Sequence, residues 1–420
     1  MQHRLTSASF LLFVGVLLVY LANGRVIGAG DTLPSRYLPW SLLQQHNFDL
    51  DEFPSLYGEE ARRVYPMLDG VPYFLRYRDG HYLSSYSPGP AVLALPIYVV
   101  PVLAGVSPEA WAPALEKLAA AAIAALSVVF LFWALRTLTG RGWALTIAAL
   151  YAFGTSTWSV SSQALWQHGP SQLFLALALV CLVKGMKDER VLPYAGFALS
   201  AATVMRATDL GIALAVAAYV LYARRRLALC FTLFALVPLA GLLVYNLAYF
   251  GSPAGGAGNT NAPVWAFFVQ VPLREGLSGT LLSPSRGLFV YSPVLLFAVG
   301  GLVWVGLRGP ALLTSLAVGA VAVVLVVAKW FLWWGGHSWG PRLLADVTPI
   351  FCLFLYPVTH WLDRHRLMKA VFVLLAVVSV AAHGLGAFFY DGRWEGVVDV
   401  AHGDAPLWSW RKSPLVFHAR

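Results

Sequence analysis

Charge is scarce in this chain. Asp, Glu, Lys and Arg make up 12% of its 420 residues, about half of the ~25% found in soluble domains, while 59% are apolar. That balance excludes an ordinary soluble enzyme. Cysteine is almost absent as well. Cys181, Cys230 and Cys352 all fall in or beside apolar runs, so no disulfide framework or zinc spacing exists, and they read as packing residues. No internal repeat is visible. Acidic and basic residues are also missing from the middles of the apolar runs, where ion-coupled transporters usually carry them.

What the chain has instead is a succession of apolar runs, each near the roughly 20 residues that a membrane span needs. Candidates lie near 7–23, 112–135, 142–158, 169–184, 191–205, 208–223, 227–250, 287–307, 310–331, 343–362 and 369–390. The fifth and sixth share one run, broken by Met205 to Asp209, which reads as a tight hairpin. The expectation is an all-α polytopic membrane protein of about 11 transmembrane helices. Its first span is 1–23, read as a retained signal anchor because Leu21-Ala22-Asn23-Gly24 offers no small-x-small cleavage site. An external loop, 24–111, carries juxtamembrane or re-entrant helices. A transmembrane bundle, 112–250, an external loop, 251–286, and a second bundle, 287–390, follow. The external tail, 391–420, is expected to rest Trp394, Trp408 and Trp410 on the membrane.

The segment 91–105 is apolar enough to be a further span, and the positive-inside rule decides against it. If it does not cross, the cytoplasmic side holds thirteen basic residues, including Arg136, Arg141 and the Arg224-Arg225-Arg226 run, against Asp188, Glu189 and Asp363. That face then carries +10 and the outer one −1, which together give the net +9. The basic excess is therefore a topology signal and does not argue for nucleic acid. The N-terminus is expected in the cytoplasm, and 91–105, with its prolines at 90, 96 and 101, is expected to lie on the surface or re-enter.

Polar side chains gather where runs meet the outer surface. Asp31 follows the first span at the mouth of a loop rich in acids and tyrosines, Tyr86 among them. Thr155 to Pro170 brings Gln163, Trp166 and His168, where a histidine could accept a proton, ligate a metal or hold a phosphate. LLSPSRGLFVYSP, 281–293, places Arg286 just before a span, and arginine's fork suits phosphate oxygens. WWGGHSWGPRLLADVTP, 333–349, holds His337, Arg342 and Asp346 among glycine and proline breaks, with Lys329 one turn earlier. Irregular backbone at membrane depth must be buried in protein or line a wet cavity. The stretch 79–98 has a Ser-Pro-Gly-Pro turn into the apolar segment, and reads as a surface lid or a structural re-entrant piece.

Taken in order, these features resemble the GT-C superfamily of membrane glycosyltransferases, in the bacterial group similar to protein O-mannosyltransferases and aminoarabinose transferases. They are the acid after the first span, the long external loop, the Arg136-to-Arg141 turn, the Arg206 hairpin, the SRGLFVYSP entry and the GPRLL segment. The resemblance covers nearly the whole chain. It implies a multi-pass enzyme of the bacterial inner or plasma membrane, using a polyprenyl-phosphate-linked sugar at the periplasmic or extracellular face. The acceptor would be a glycan, lipid or protein. It implies Asp31 as base or metal ligand, with a divalent ion such as Mg or Mn held by Asp31 and His168. Arg342, Arg286 and Lys329 would bind the donor phosphate, and His168, His337, Tyr86 and Arg206 other parts of the substrate. The chain departs from the family pattern in having Thr32 after Asp31 where many relatives have an acid, and His168 with Gln163 where a second aspartate is common.

The chemistry does not need a second acid. Glycosidases protonate an alkoxide leaving group, whereas a polyprenyl phosphate leaves readily once its charge is neutralised. One base for the acceptor hydroxyl is then enough, and attack opposite the phosphate inverts the anomeric centre. Two alternatives stay open: a transporter or flippase of lipid-linked sugars, and a glycan ligase or polymerase using a lipid-diphosphate donor.

Overall fold

A computed structural model describes residues 2–256, 264–398 and 406–419. Parts of the expected 251–286 loop and of the 391–420 tail lie outside the described residues. The chain is predominantly helical. The helix α1 (Gln2–Leu21) leads into the first loop, which holds α2 (Leu33–Trp40), α3 (Glu59–Val64), two short hairpins and α4 (Gly89–Leu103). The hairpins pair β1 (Met67–Leu68) with β2 (Val71–Pro72), and β3 (Leu75–Arg78) with β4 (His81–Ser84), both antiparallel.

The bundle continues with α5 (Pro108–Leu138), α6 (Arg141–Phe153), α7 (His168–Gly185), α8 (Tyr194–Met205), α9 (Leu210–Ala223) and α10 (Arg225–Phe250). Next come α11 (Leu273–Leu282), α12 (Leu288–Tyr291), α13 (Leu296–Arg308), α14 (Ala311–Lys329), α15 (Thr348–Leu353), α16 (Tyr356–Arg364) and α17 (Arg366–Phe389). The tail adds α18 (Arg393–Val397) and α19 (Pro414–His418).

Among the described residues, five helices are long and apolar enough to cross a membrane: α5, α7, α10, α14 and α17. The other expected spans are shorter or broken, for local reasons. The run near 287–307 divides at Pro293 into α12 and α13, because proline removes a backbone donor and crowds the preceding turn. The run near 343–362 divides into α15 and α16, each with a proline in its first turn. The run near 142–158 ends its α-helix at Phe153 and continues as a wider turn, 157–161. At about 1.5 Å per residue, the 15 residues of α4 fall short of the roughly 30 Å hydrocarbon core.

Packing separates a membrane-side core from a loop-side core. The large cluster joins α5, α6, α7, α8, α14 and α15 through residues such as Phe132, Leu179, Val323 and Phe354. In contrast, α10 leaves Leu233, Val237 and Val244 exposed, the surface expected of a helix turned to lipid. The second core packs Trp40, Leu50, Phe74, Ala94 and Tyr98 of the first loop against Leu115 and Ala119 of α5 and against Leu165. The loop is thus a folded cap seated on one end of the bundle.

Candidate active site under the first loop

Asp31 lies in the 3₁₀ turn Gly30–Thr32 that opens α2. A Cβ at Gly30 would fall 2.6 Å from the Tyr73 hydroxyl, so glycine there is what lets the tyrosine close on the carboxylate. Tyr73 and Tyr86 stand on either side of the β3–β4 hairpin, and both hydroxyls donate to Asp31 Oδ1, at 2.7 and 3.0 Å. Arg342 Nη1 donates to Oδ2 at 2.6 Å. The carboxylate thus has three donors and keeps a side-chain exposure of 22%, against 12% for Arg342.

Burial alone would raise the Asp31 carboxyl. The Arg342 charge and hydrogen bond, with those of the two tyrosines, outweigh burial and hold it below the usual carboxylate range. Burial and the Asp31 charge push the Tyr73 and Tyr86 hydroxyls upward, so both remain donors.

Arg342 is set by its own loop. Gly335 and Gly336 both take positive φ, +81° and +65°, turning the chain so that the Gly335 carbonyl accepts from Arg342 Nε and Nη2 at 3.1 and 2.6 Å. The guanidinium stacks on Trp166, 4.5 Å from the ring centroid. Beside it lies a crevice of about 10 Å³, lined by Thr280, Arg286, Trp333, Trp334 and Arg342. That is room for about one water.

The remaining expected residues do not bond Asp31, although Arg286 lines the same crevice. Arg286 is 1% exposed and already engaged: Nη1 donates to Ser338 O, and Nη2 to Gly336 O and to Glu395 at 3.1 and 3.0 Å, with Trp394 packed on its face. Its Nε alone has no partner among the described residues. Trp394 is accordingly fully buried under the tail and does not rest on the membrane; its indole donates to Lys412 O. Lys329 Nζ donates to Val271 O at 2.6 Å, and His337 is exposed.

His168 and Arg206 meet each other and Asp346. His168 Nδ1 is 2.9 Å from Asp346 Oδ1, Arg206 Nη1 is 3.0 Å from His168 Nε2, and Arg206 Nε is 2.6 Å from Asp346 Oδ2. Arginine only donates, so His168 Nε2 accepts and Nδ1–H donates to Asp346. Both ring nitrogens are used, which leaves no lone pair for the metal that His168 and Asp31 were expected to share.

Two buried pairs escaped the sequence reading. Glu116 of α5 accepts from Arg36 Nε at 2.6 Å and from Leu165 N, and its neighbour Lys117 donates to Gln163 at 2.6 Å. A third constellation was also missed. Asp49, Asp51 and His81 bring their ligand atoms within 4.8 Å of one another, with His81 Nδ1 2.7 Å from Asp51 and 3.7 Å from Asp49. Tetrahedral ligands at about 2.0–2.2 Å from a metal sit roughly 3.3 Å apart, so this oxygen, oxygen and nitrogen set fits a divalent ion with small shifts. Without one, the Asp51 hydrogen bond and charge raise the His81 imidazole. An apolar groove of about 400 Å³ opens along α4 and α5, lined by Phe13, Leu93, Ile97, Ala119, Ile123 and Leu126.

No family model matches the chain, and no curated protein does. Solved structures do. The oligosaccharyltransferase of Archaeoglobus fulgidus, in complex with Zn and sulfate, aligns with a TM-score of 0.55 at 12% identity, over 96% of this chain and 58% of that one. Its apo form gives 0.54 at 12% identity, over 96% and 60%. The likeness is one of fold. It agrees with the expected helical membrane architecture, and does not reach the O-mannosyltransferase-like group expected from the sequence. The chain spans about three fifths of its neighbours' length.

Proposed function

We propose that the protein is a GT-C-type glycosyltransferase that moves a sugar from a polyprenyl-phosphate-linked donor to an acceptor hydroxyl at the external face. The observation that carries this reading is the Asp31–Arg342 pair at the foot of the first loop: one carboxylate able to take a proton, one guanidinium able to hold phosphate. The fold shared with an oligosaccharyltransferase supports it. The apolar groove beside α4, a helix that begins three residues after Tyr86, supports a lipid-linked donor.

In the reaction the acceptor oxygen attacks the anomeric carbon as its proton passes to Asp31. The bond from that carbon to the phosphate oxygen breaks, the electron pair leaves with the phosphate, and Arg342 compensates the charge. The two partners restrain each other beforehand, because Asp31 is a weak base while Arg342 donates to it. Donor phosphate competes for the same guanidinium. As Arg342 turns toward it, Asp31 loses its strongest donor and gains basicity, so acceptor activation follows donor binding. A water-sized crevice does not admit a phosphate, so the 333–344 segment must shift as the donor enters. Asp49, Asp51 and His81 would hold a divalent ion, which when bound cross-links residues 49–51 to β4 and braces the hairpin that carries the two tyrosines.

A transfer assay with a panel of polyprenyl-phosphate sugars and membrane extracts, with and without chelator, tests the reading. Lipid-sugar that crosses reconstituted bilayers without being transferred would replace it with a flippase. A second reading, transfer of a whole glycan from a lipid diphosphate, is favoured by the neighbours being oligosaccharyltransferases. Competition between monophosphate and diphosphate carriers separates the two.

A further inference from the structure

We infer that Asp346, His168 and Arg206 are positioning residues that reserve Arg342 for its exchange between Asp31 and phosphate, and that they do not themselves bind substrate or metal. The inference rests on the phosphate role of Arg342 proposed above. Three separate segments meet in the triangle: the start of α7, the 206–209 turn between α8 and α9, and the 342–346 stretch. That stretch is held at two points by a single tripeptide. The Trp166 ring underlies the Arg342 guanidinium, and two residues later His168 donates to Asp346. One turn along α7, Gln172 fixes the backbone between them, donating to Ala345 O at 2.8 Å and to Thr348 at 3.0 Å.

The pairing of charges gives this arrangement its consequence. Arg342 pairs with Asp31 across the site, and a second carboxylate, Asp346, stands four residues on along its own segment. Asp346 is wholly buried, and a buried carboxylate needs a cation. Arg206 supplies it. His168, held neutral with its proton on Nδ1, fills the other oxygen without adding charge. Arg342 is therefore left to Asp31 in the free protein and to phosphate when the donor arrives. Without Arg206, Asp346 becomes a buried acid without its cation, and the next arginine on its own segment, Arg342, is the one it would draw away from Asp31 and phosphate.

The test is a double-mutant cycle read on donor KM and kcat separately. Arg206→Ala is expected to raise donor KM by roughly tenfold or more, with a smaller change in kcat, and Arg206→Lys to recover part of it. Adding Asp346→Asn to Arg206→Ala removes the competing carboxylate and is expected to bring donor KM back toward wild type. If Arg206 bound the substrate itself, the double variant would stay as impaired as Arg206→Ala, and that result overturns the inference. So does a double variant worse than either single one, which marks a purely structural cluster. Expression and monodispersity of the double variant and of Arg206→Lys show whether the fold is intact. Arg342→Ala runs alongside: an unchanged donor KM there defeats the phosphate reading itself, a failure distinguishable from the first.

Discussion

Asp31→Asn separates the two halves of the proposed site. The substitution keeps the size of the side chain and one acceptor oxygen, and deletes the charge and the ability to take a proton. Arg342 retains both bonds to the Gly335 carbonyl and its stack on Trp166, so it stays in place. The fold should lose about 1–3 kcal/mol, the range for a charged hydrogen bond weakened at a partly exposed site. Transfer should fall by about 10²–10⁴, the usual contribution of a general base. Donor binding should move the other way. In the proposed reaction the phosphate displaces Asp31 from Arg342, and relieving about 1.4 kcal/mol of that competition tightens the donor about tenfold. Titrating a labelled polyprenyl-phosphate sugar against purified protein in nanodiscs measures affinity, and a single-turnover assay measures transfer. Wild-type transfer by Asp31→Asn removes Asp31 as base. A donor affinity that weakens in parallel with the rate refutes the exchange of partners on Arg342.

Four further outcomes are expected. The Asp31 carboxyl is depressed on folding, so its contribution to stability is present above about pH 4 and is lost as pH falls through the lower folded value; acid unfolding of Asp31→Asn should lack this component. Tyr73→Phe and Tyr86→Phe each remove one donor from Asp31 Oδ1, and should shift the acid limb of the transfer rate upward in pH by up to about one unit. Glu395→Gln leaves a fully buried Arg286 without its counter-charge, at a cost of about 3–5 kcal/mol, visible as a lower melting temperature in detergent with little change in donor KM. In a background without native cysteines, Gly80→Cys should react with an impermeant maleimide on intact cells and Arg225→Cys should not; the reverse pattern overturns the charge-derived orientation.

The pieces of the site were legible because each stands at a visible discontinuity. Asp31 follows an apolar run, and Arg342 sits among glycines and prolines that no regular helix accepts. Their pairing was not legible, since 311 residues separate them and only the seating of the loop on the bundle brings them together. Tyr73 looked like any other tyrosine in a loop that has several. Glu116 and Lys117 were hidden inside a run that averages as apolar, because their partners, Arg36 and Gln163, lie 80 and 46 residues away. The arginines show where such reading stops. A guanidinium beside a span needs oxygen partners, and its sequence context does not say whose. Arg286 and Arg342 looked equivalent on that ground, each a boundary arginine next to a glycine or proline break. In the fold, both Nη groups of Arg286 are taken by two loop carbonyls and by Glu395 from the tail, with Trp394 packed on its face. Arg342 meets instead a carboxylate that keeps some exposure and that the proposed chemistry needs for itself. An ion pair whose acid has another task can be exchanged for a substrate phosphate, while one sealed from solvent under the tail cannot. For that reason Arg286 is expected to govern stability, and Arg342 to govern donor use.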